Sequence, residues 1–68
     1  MDFVLEIGDE ILPIEVKWTE NPDSRDARHL KAFIAAHKER CTRGYIVSRC
    51  PHVLAIDEHI TAIPWFMV

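Results

Sequence analysis

Two short runs at the start of the chain alternate between apolar and polar residues. In residues 2–7, Phe3, Leu5 and Ile7 share one face, and Asp2, Val4 and Glu6 share the other. In residues 10–18, Leu12, Ile14, Val16 and Trp18 oppose Ile11, Pro13, Glu15 and Lys17. A period of two marks a half-buried strand. Gly8-Asp9 between the runs predicts a tight hairpin turn, with Gly supplying a positive φ. Pro13 has no N–H to give, so it belongs at a sheet edge or at a non-bonding position. The period then changes. Ala27, Leu30, Phe33, Ile34, His37 and Cys41 recur at helical spacing and predict a helix over 24–40. Asp23 or Ser24 can cap it, Asp26 suits its positive end, and Gly44 marks its stop. Tyr45-Ile46-Val47 reads as an interior strand that Cys50-Pro51 breaks. Residues 53–56 and 60–63 predict two last strands joined near Asp57-Glu58, with Pro64 ending the second and an apolar tail from Trp65 to Val68. The order β-β-α-β-β-β predicts an α+β fold, a mixed or mostly antiparallel sheet with one main helix on one face.

Composition narrows this picture. Sixty-eight residues make a single domain, and a chain of this size buries only ~60% of its unfolded surface. Nearly half of the residues are hydrophobic, so the chain is globular rather than disordered. No apolar run approaches the ~20 residues that span a bilayer. The acidic start lacks the basic region of a signal peptide, so the expected location is cytoplasmic, with no membrane partner. Cys41 and Cys50 flank a strand that holds them ~30 Å apart at ~3.3 Å per residue. A disulfide needs Cα atoms within ~7 Å, so two reduced thiols are expected. The chain opens inside a strand. It is therefore expected to be a fragment of a longer protein, or to complete its sheet against a second copy, and a homodimer is expected.

The net charge of −3 argues against strong nonspecific binding of nucleic acid. It leaves room for an enzyme that meets phosphate through a metal, and the hairpin offers one. A symmetric turn at Gly8-Asp9 pairs Ile7 with Glu10, Leu5 with Leu12, Phe3 with Ile14 and Asp2 with Glu15. Directly opposed side chains have Cβ atoms ~4.5–5.5 Å apart on one side of the sheet. Lys17, two residues past Glu15, points the same way. Like charges directly opposed are destabilising, and a divalent cation reverses that sign. Mg²⁺ uses one or two carboxylates together with water and substrate phosphate. The bland alternative is an exposed Glu15–Lys17 pair worth ~0–1 kcal/mol.

Asp2, then Glu15-Val16-Lys17 behind apolar residues, then an amphipathic helix and a strand, resemble the PD-(D/E)xK nuclease superfamily. The DFVLE and IEVK strands, the LKAF helix, the GYIVS strand and the terminal IPW resemble more closely a domain of unknown function. That domain stands at the C-terminus of many bacterial and archaeal AAA-type ATPases. The resemblance covers nearly the whole chain. It implies an N-terminally truncated restriction-endonuclease-like core in which Asp2 and Glu15 hold Mg²⁺, or Mn²⁺, and Lys17 is the catalytic lysine. The implied activity is metal-dependent endonucleolytic cleavage of DNA. The implied partner is the ATPase module of a parent protein. The superfamily's upstream helix and earlier strand have no counterpart in these residues. No G-x-x-x-x-G-K-[ST] loop occurs, so this chain has no ATP site of that kind. The second reading is a non-catalytic interaction or oligomerisation module.

Arg25, Arg28 and Lys31, near the start of the helix, are candidate phosphate contacts, set against the commoner role of a solvated helix face. Cys50-Pro51-His52, with His29, His37 and His59 elsewhere, falls short of the spacing of a zinc site. Trp65 and Phe66 are expected to pack on the sheet or to serve self-association.

Overall fold

A computed structural model describes all 68 residues. It contains five strands, β1 (Phe3–Ile7), β2 (Glu10–Lys17), β3 (Gly44–Ser48), β4 (Leu54–Ala55) and β5 (Ile60–Pro64), one helix, α1 (Arg28–Ala36), and a final 3₁₀ turn (Trp65–Met67). The strands form one sheet in the order β1-β2-β3-β5-β4. The outer pairs β1–β2 and β4–β5 are antiparallel, while β2–β3 and β3–β5 are parallel. The architecture is thus a mixed α+β sheet with one helix.

The hairpin register follows the alternation, with Phe3 opposite Ile14, Leu5 opposite Leu12 and Ile7 opposite Glu10. Gly8 has φ 61° and is the sole residue with positive φ, the pattern of a turn whose first central position demands glycine. Pro13 lies on an interior strand, one residue before pairing with β3 begins at Ile14–Tyr45. Its missing N–H falls just outside that ladder. The Ile11 N–H on the same side donates to the Arg40 carbonyl at 2.9 Å.

The helix is shorter than its periodicity predicts. At the start, the Asp26, Ala27 and Arg28 N–H groups bond to the carbonyls three residues back. This tight turning delays the α-helix to Arg28, and no side chain caps it. Asp23 and Asp26 serve the turn itself. Asp23 Oδ1 accepts the Arg25 N–H, and Asp26 Oδ2 accepts the Asp23 N–H, each at 2.9 Å. At the other end His37 leaves helical geometry at φ −126°, ψ 39°. Its ring stacks on Phe33 with centroids 4.2 Å apart. Gly44 does not stop the helix. It opens β3 and is buried, and a Cβ there would lie 3.4 Å from both Leu30 Cδ2 and Pro13 Cγ. Glycine lets the helix and β2 close over the first residue of β3.

The core lies on one face only. Ala27 and Leu30 from the helix side meet Ile46, Cys50, Ile60 and Ala62 from the sheet. Both cysteines are buried and free. Burial raises the Cys41 thiol above its ordinary pKa. The opposite face carries Phe3, Leu5 and Ile7 on β1, and Leu12, Ile14 and Val16 on β2. Every residue of β1 is exposed. Trp18 and Trp65 extend this face with ring centroids 6.1 Å apart, so the tail packs against Trp18 while Trp65 stays half exposed. No helix is long and apolar enough to cross a membrane.

Candidate functional site

Glu15 sits near the middle of β2 on the helix-covered face, beside Ile46 of β3. The parity that exposes Val16 turns Glu15 inward. It is 7% exposed, the one buried charged residue of the chain. A buried carboxylate is costly unless its charge is met. Glu15 is met only loosely. The Met1 amino group stands 3.6 Å from Oε1, and Lys17 Nζ stands 3.9 Å from Oε2. Oε1 is buried and accepts no hydrogen bond.

Asp2 lies just before β1. Its N–H donates to the Ile14 carbonyl at 3.2 Å. Its Oδ2 accepts the Val16 N–H at 2.6 Å. The carboxylate therefore folds onto the backbone of β2 next to Glu15, and one oxygen is spent closing the hairpin. Lys17 is aligned with Ser48 on β3 and is partly exposed. The structure thus brings Asp2, Glu15 and Lys17 to one end of the hairpin.

The three basic candidates do not gather there. The Arg25 guanidinium is held by Asp23 at 2.8 Å. This hydrogen-bonded pair raises the guanidinium pKa and holds the Asp23 carboxyl below its ordinary value. Arg28 is exposed and makes no ion pair within 4.0 Å. Lys31 points toward Asp57, 3.5 Å away, in the turn between β4 and β5. That turn is at the opposite edge of the sheet from Asp2.

Asp57, which the sequence placed at the joint of the last two strands without a role, is a structural residue. Its Oδ1 accepts the N–H groups of His59 and Ile60 at 2.8 and 2.9 Å. Burial pushes its carboxyl pKa up, but these bonds and Lys31 outweigh it and hold the carboxyl below its ordinary value. The available signal was an Asp three residues ahead of a strand, a common turn-forming arrangement. The largest cleft, about 540 Å³, also lies on this side, lined by Lys31, Lys38, Cys41, Asp57 and His59 among others. It is shallow and remote from Glu15, so the chemistry of the buried carboxylate is the better guide to a site.

No group of three or more His, Cys, Asp or Glu side chains is placed to hold a metal. Two carboxylates remain, and they suit a hard, oxygen-seeking ion that keeps waters and shares a phosphate. Glu15 Oε1 is the oxygen without a hydrogen bond, and such an ion would meet it only by displacing the Met1 ammonium that stands 3.6 Å away.

A family model described as a domain of unknown function (DUF4143) matches residues 1–68. No curated protein and no solved structure matches the chain.

Proposed function

Because the chain belongs to the DUF4143 family, a domain of unknown function, its chemistry must come from its own side chains, and we propose a metal-dependent, nuclease-like domain that cleaves phosphodiester bonds of DNA. The carrying observation is the Glu15 carboxylate, buried on the strand that also bears Lys17, with one oxygen lacking a hydrogen bond.

Glu15 Oε1 and the second oxygen of Asp2 would hold Mg²⁺ or Mn²⁺. Such an ion, when bound, polarises a phosphoryl oxygen and lowers the pKa of a bound water. The residues do the rest. Asp2 keeps its Oδ2 on the Val16 N–H, which fixes its carboxylate relative to β2. Glu15 is oriented by burial against Ile46. Lys17, whose side chain is partly exposed, can orient the attacking water or balance charge gathering on the phosphate. Arg28 is a cation left over for a neighbouring phosphate. Arg25 and Lys31 would first have to leave Asp23 and Asp57.

DNA cleavage with Mg²⁺ or Mn²⁺, lost on Glu15→Ala or Lys17→Ala, is the expected result. Cutting that survives in both variants refutes the assignment.

A second reading is favoured by one specific observation, the apolar sheet face that α1 leaves uncovered. The family is typically found with AAA ATPases. In this reading the domain is a non-catalytic interaction or oligomerisation module of such an ATPase. Absence of Mn²⁺ binding to the chain, together with self-association, supports it over the nuclease reading.

A further inference from the structure

The face that α1 leaves open has a definite pattern. Parallel strands are normally covered on both faces and read as apolar on both. Here β2, β3 and β5 run parallel at the centre of the sheet, yet one face meets no helix. That face is apolar along its length and charged at its two ends. At the hairpin-turn end stands Glu10, aligned with Ile7 and without an ion-pair partner. At the far end stands Arg49, its guanidinium 5.7 Å above the Trp18 ring. The Arg49 N–H donates to the Thr19 carbonyl at 2.9 Å, which fixes that end of β3 beside β2.

Glu10 and Arg49 carry opposite signs at opposite ends, so the pair can complement itself across two copies in one orientation. A twofold axis along the strands would set Glu10 over Glu10. A twofold axis across the strands sets the Glu10 end of one copy over the Arg49 end of the other. The available area also suits a stable pair. Phe3, Trp18 and Trp65 are each more than half exposed. At about 150–250 Å² per aromatic side chain, they alone offer a few hundred Å². With Leu5, Ile7 and Val16 the face approaches the ~800 Å² per partner of a standard interface.

We propose that this face is a homodimer interface in which two copies stack sheet on sheet about a twofold axis perpendicular to the strands, with Glu10 of each copy meeting Arg49 of the other. The sheets would lie ~10 Å apart, as in aligned sandwiches. An isologous interface repeats each contact twice, so a single charge reversal is felt twice. Arg49 already touches Glu20 at 3.4 Å, but that pair is exposed on both sides and yields readily to a better-placed carboxylate. The proposal is independent of any chemistry at Glu15, which lies on the other face.

Sedimentation equilibrium of the chain with Glu10→Arg, Arg49→Glu and the double exchange tests it. The unaltered chain should be dimeric at about 100 µM, well above the micromolar limit usual for interfaces of this size. Each single reversal should weaken the dimer by about tenfold or more, and the double exchange should restore most of it. Trp18 and Trp65 emission should shift to the blue with dimerisation. A chain that stays monomeric at that concentration overturns the proposal and leaves the face to a different protein. So does a dimer that ignores both single reversals, or one that the double exchange fails to rescue.

Discussion

The Asp2 carboxylate and the Val16 backbone are joined at 2.6 Å, so the acid at the candidate site also fastens the open end of the hairpin. Its two duties can be separated. Asp2→Asn keeps an acceptor oxygen and should cost less than about 0.5 kcal/mol. Asp2→Ala leaves the Val16 N–H without its partner and should cost about 1 kcal/mol. Urea unfolding and amide exchange at Val16 measure both. Divalent-ion binding should fall in both variants, because each removes the charge.

Glu15 has no comparable structural partner. Its two cations stand at 3.6 and 3.9 Å, beyond good hydrogen-bonding range. Glu15→Gln keeps the shape and removes a buried charge. Without divalent ions it should leave stability unchanged or raise it by up to about 1 kcal/mol. Calorimetric titration with Mn²⁺ should show binding to the unaltered chain and none to the variant. Destabilisation by more than about 1 kcal/mol would mean the ion contacts hold the fold, and the orphaned oxygen would lose its meaning as a ligand.

The glycines separate two reasons for lacking a side chain. Gly8 has open space around it but φ 61°. Gly8→Ala should cost about 1–2 kcal/mol from backbone strain, and Gly8→Asn less. Gly44 has ordinary φ, and a Cβ there would meet Leu30 and Pro13 at 3.4 Å. Gly44→Ala should therefore cost less than Gly8→Ala, while Gly44→Val should overpack the site by about 1–3 kcal/mol. Chemical denaturation of the four variants tests the ranking.

Asp57 sets an acid limb of stability. Its folded pKa lies below the ordinary value of 3.8, whereas the unfolded chain titrates near ~3.9. The unfolded state therefore binds the proton first. The stabilisation is fully present above about pH 4–5 and fades as pH falls through the folded value. Asp57→Asn retains an acceptor for the His59 and Ile60 N–H groups but loses the attraction of Lys31. It should flatten the fall in melting temperature below pH 4, at a cost under about 1 kcal/mol near neutrality.

The hairpin was legible because the Gly8 turn and the alternation around it are local and agree. They fixed the pairing of Phe3 with Ile14 without reference to the remaining chain. Which face would be covered was not legible. Phe3, Leu5 and Ile7 form as apolar a row as any in the sequence, yet α1 packs on the other side, over Pro13 and Ile46. That choice is made by the path of the crossover between β2 and β3, which no periodicity encodes. The helix ends were misread for a similar reason. Asp23 and Ser24 look like caps, but hydrogen bonds across three residues tighten the turn they occupy and delay the helix. At the site, the sequence placed Glu15 and Lys17 on one face. The bond from Asp2 to the Val16 N–H depends on an atom-level turn of the carboxylate and carried no sequence signal. Lys31 followed Asp57, a partner that only the folded turn brings near.

The sheet's mixed topology also sets an order of assembly. The β1–β2 and β4–β5 pairs join segments close in sequence, and hairpins close in ~1–10 µs. The parallel pairing of β2 with β3 must await the docking of everything between them, including α1. Non-local pairing pays its loop-closure entropy before its contacts return anything, so it slows folding. Two early hairpins should therefore wait on one late crossover, and substitutions at Leu30 or Gly44, where that crossover closes, should alter the folding rate more than substitutions in the Gly8 turn.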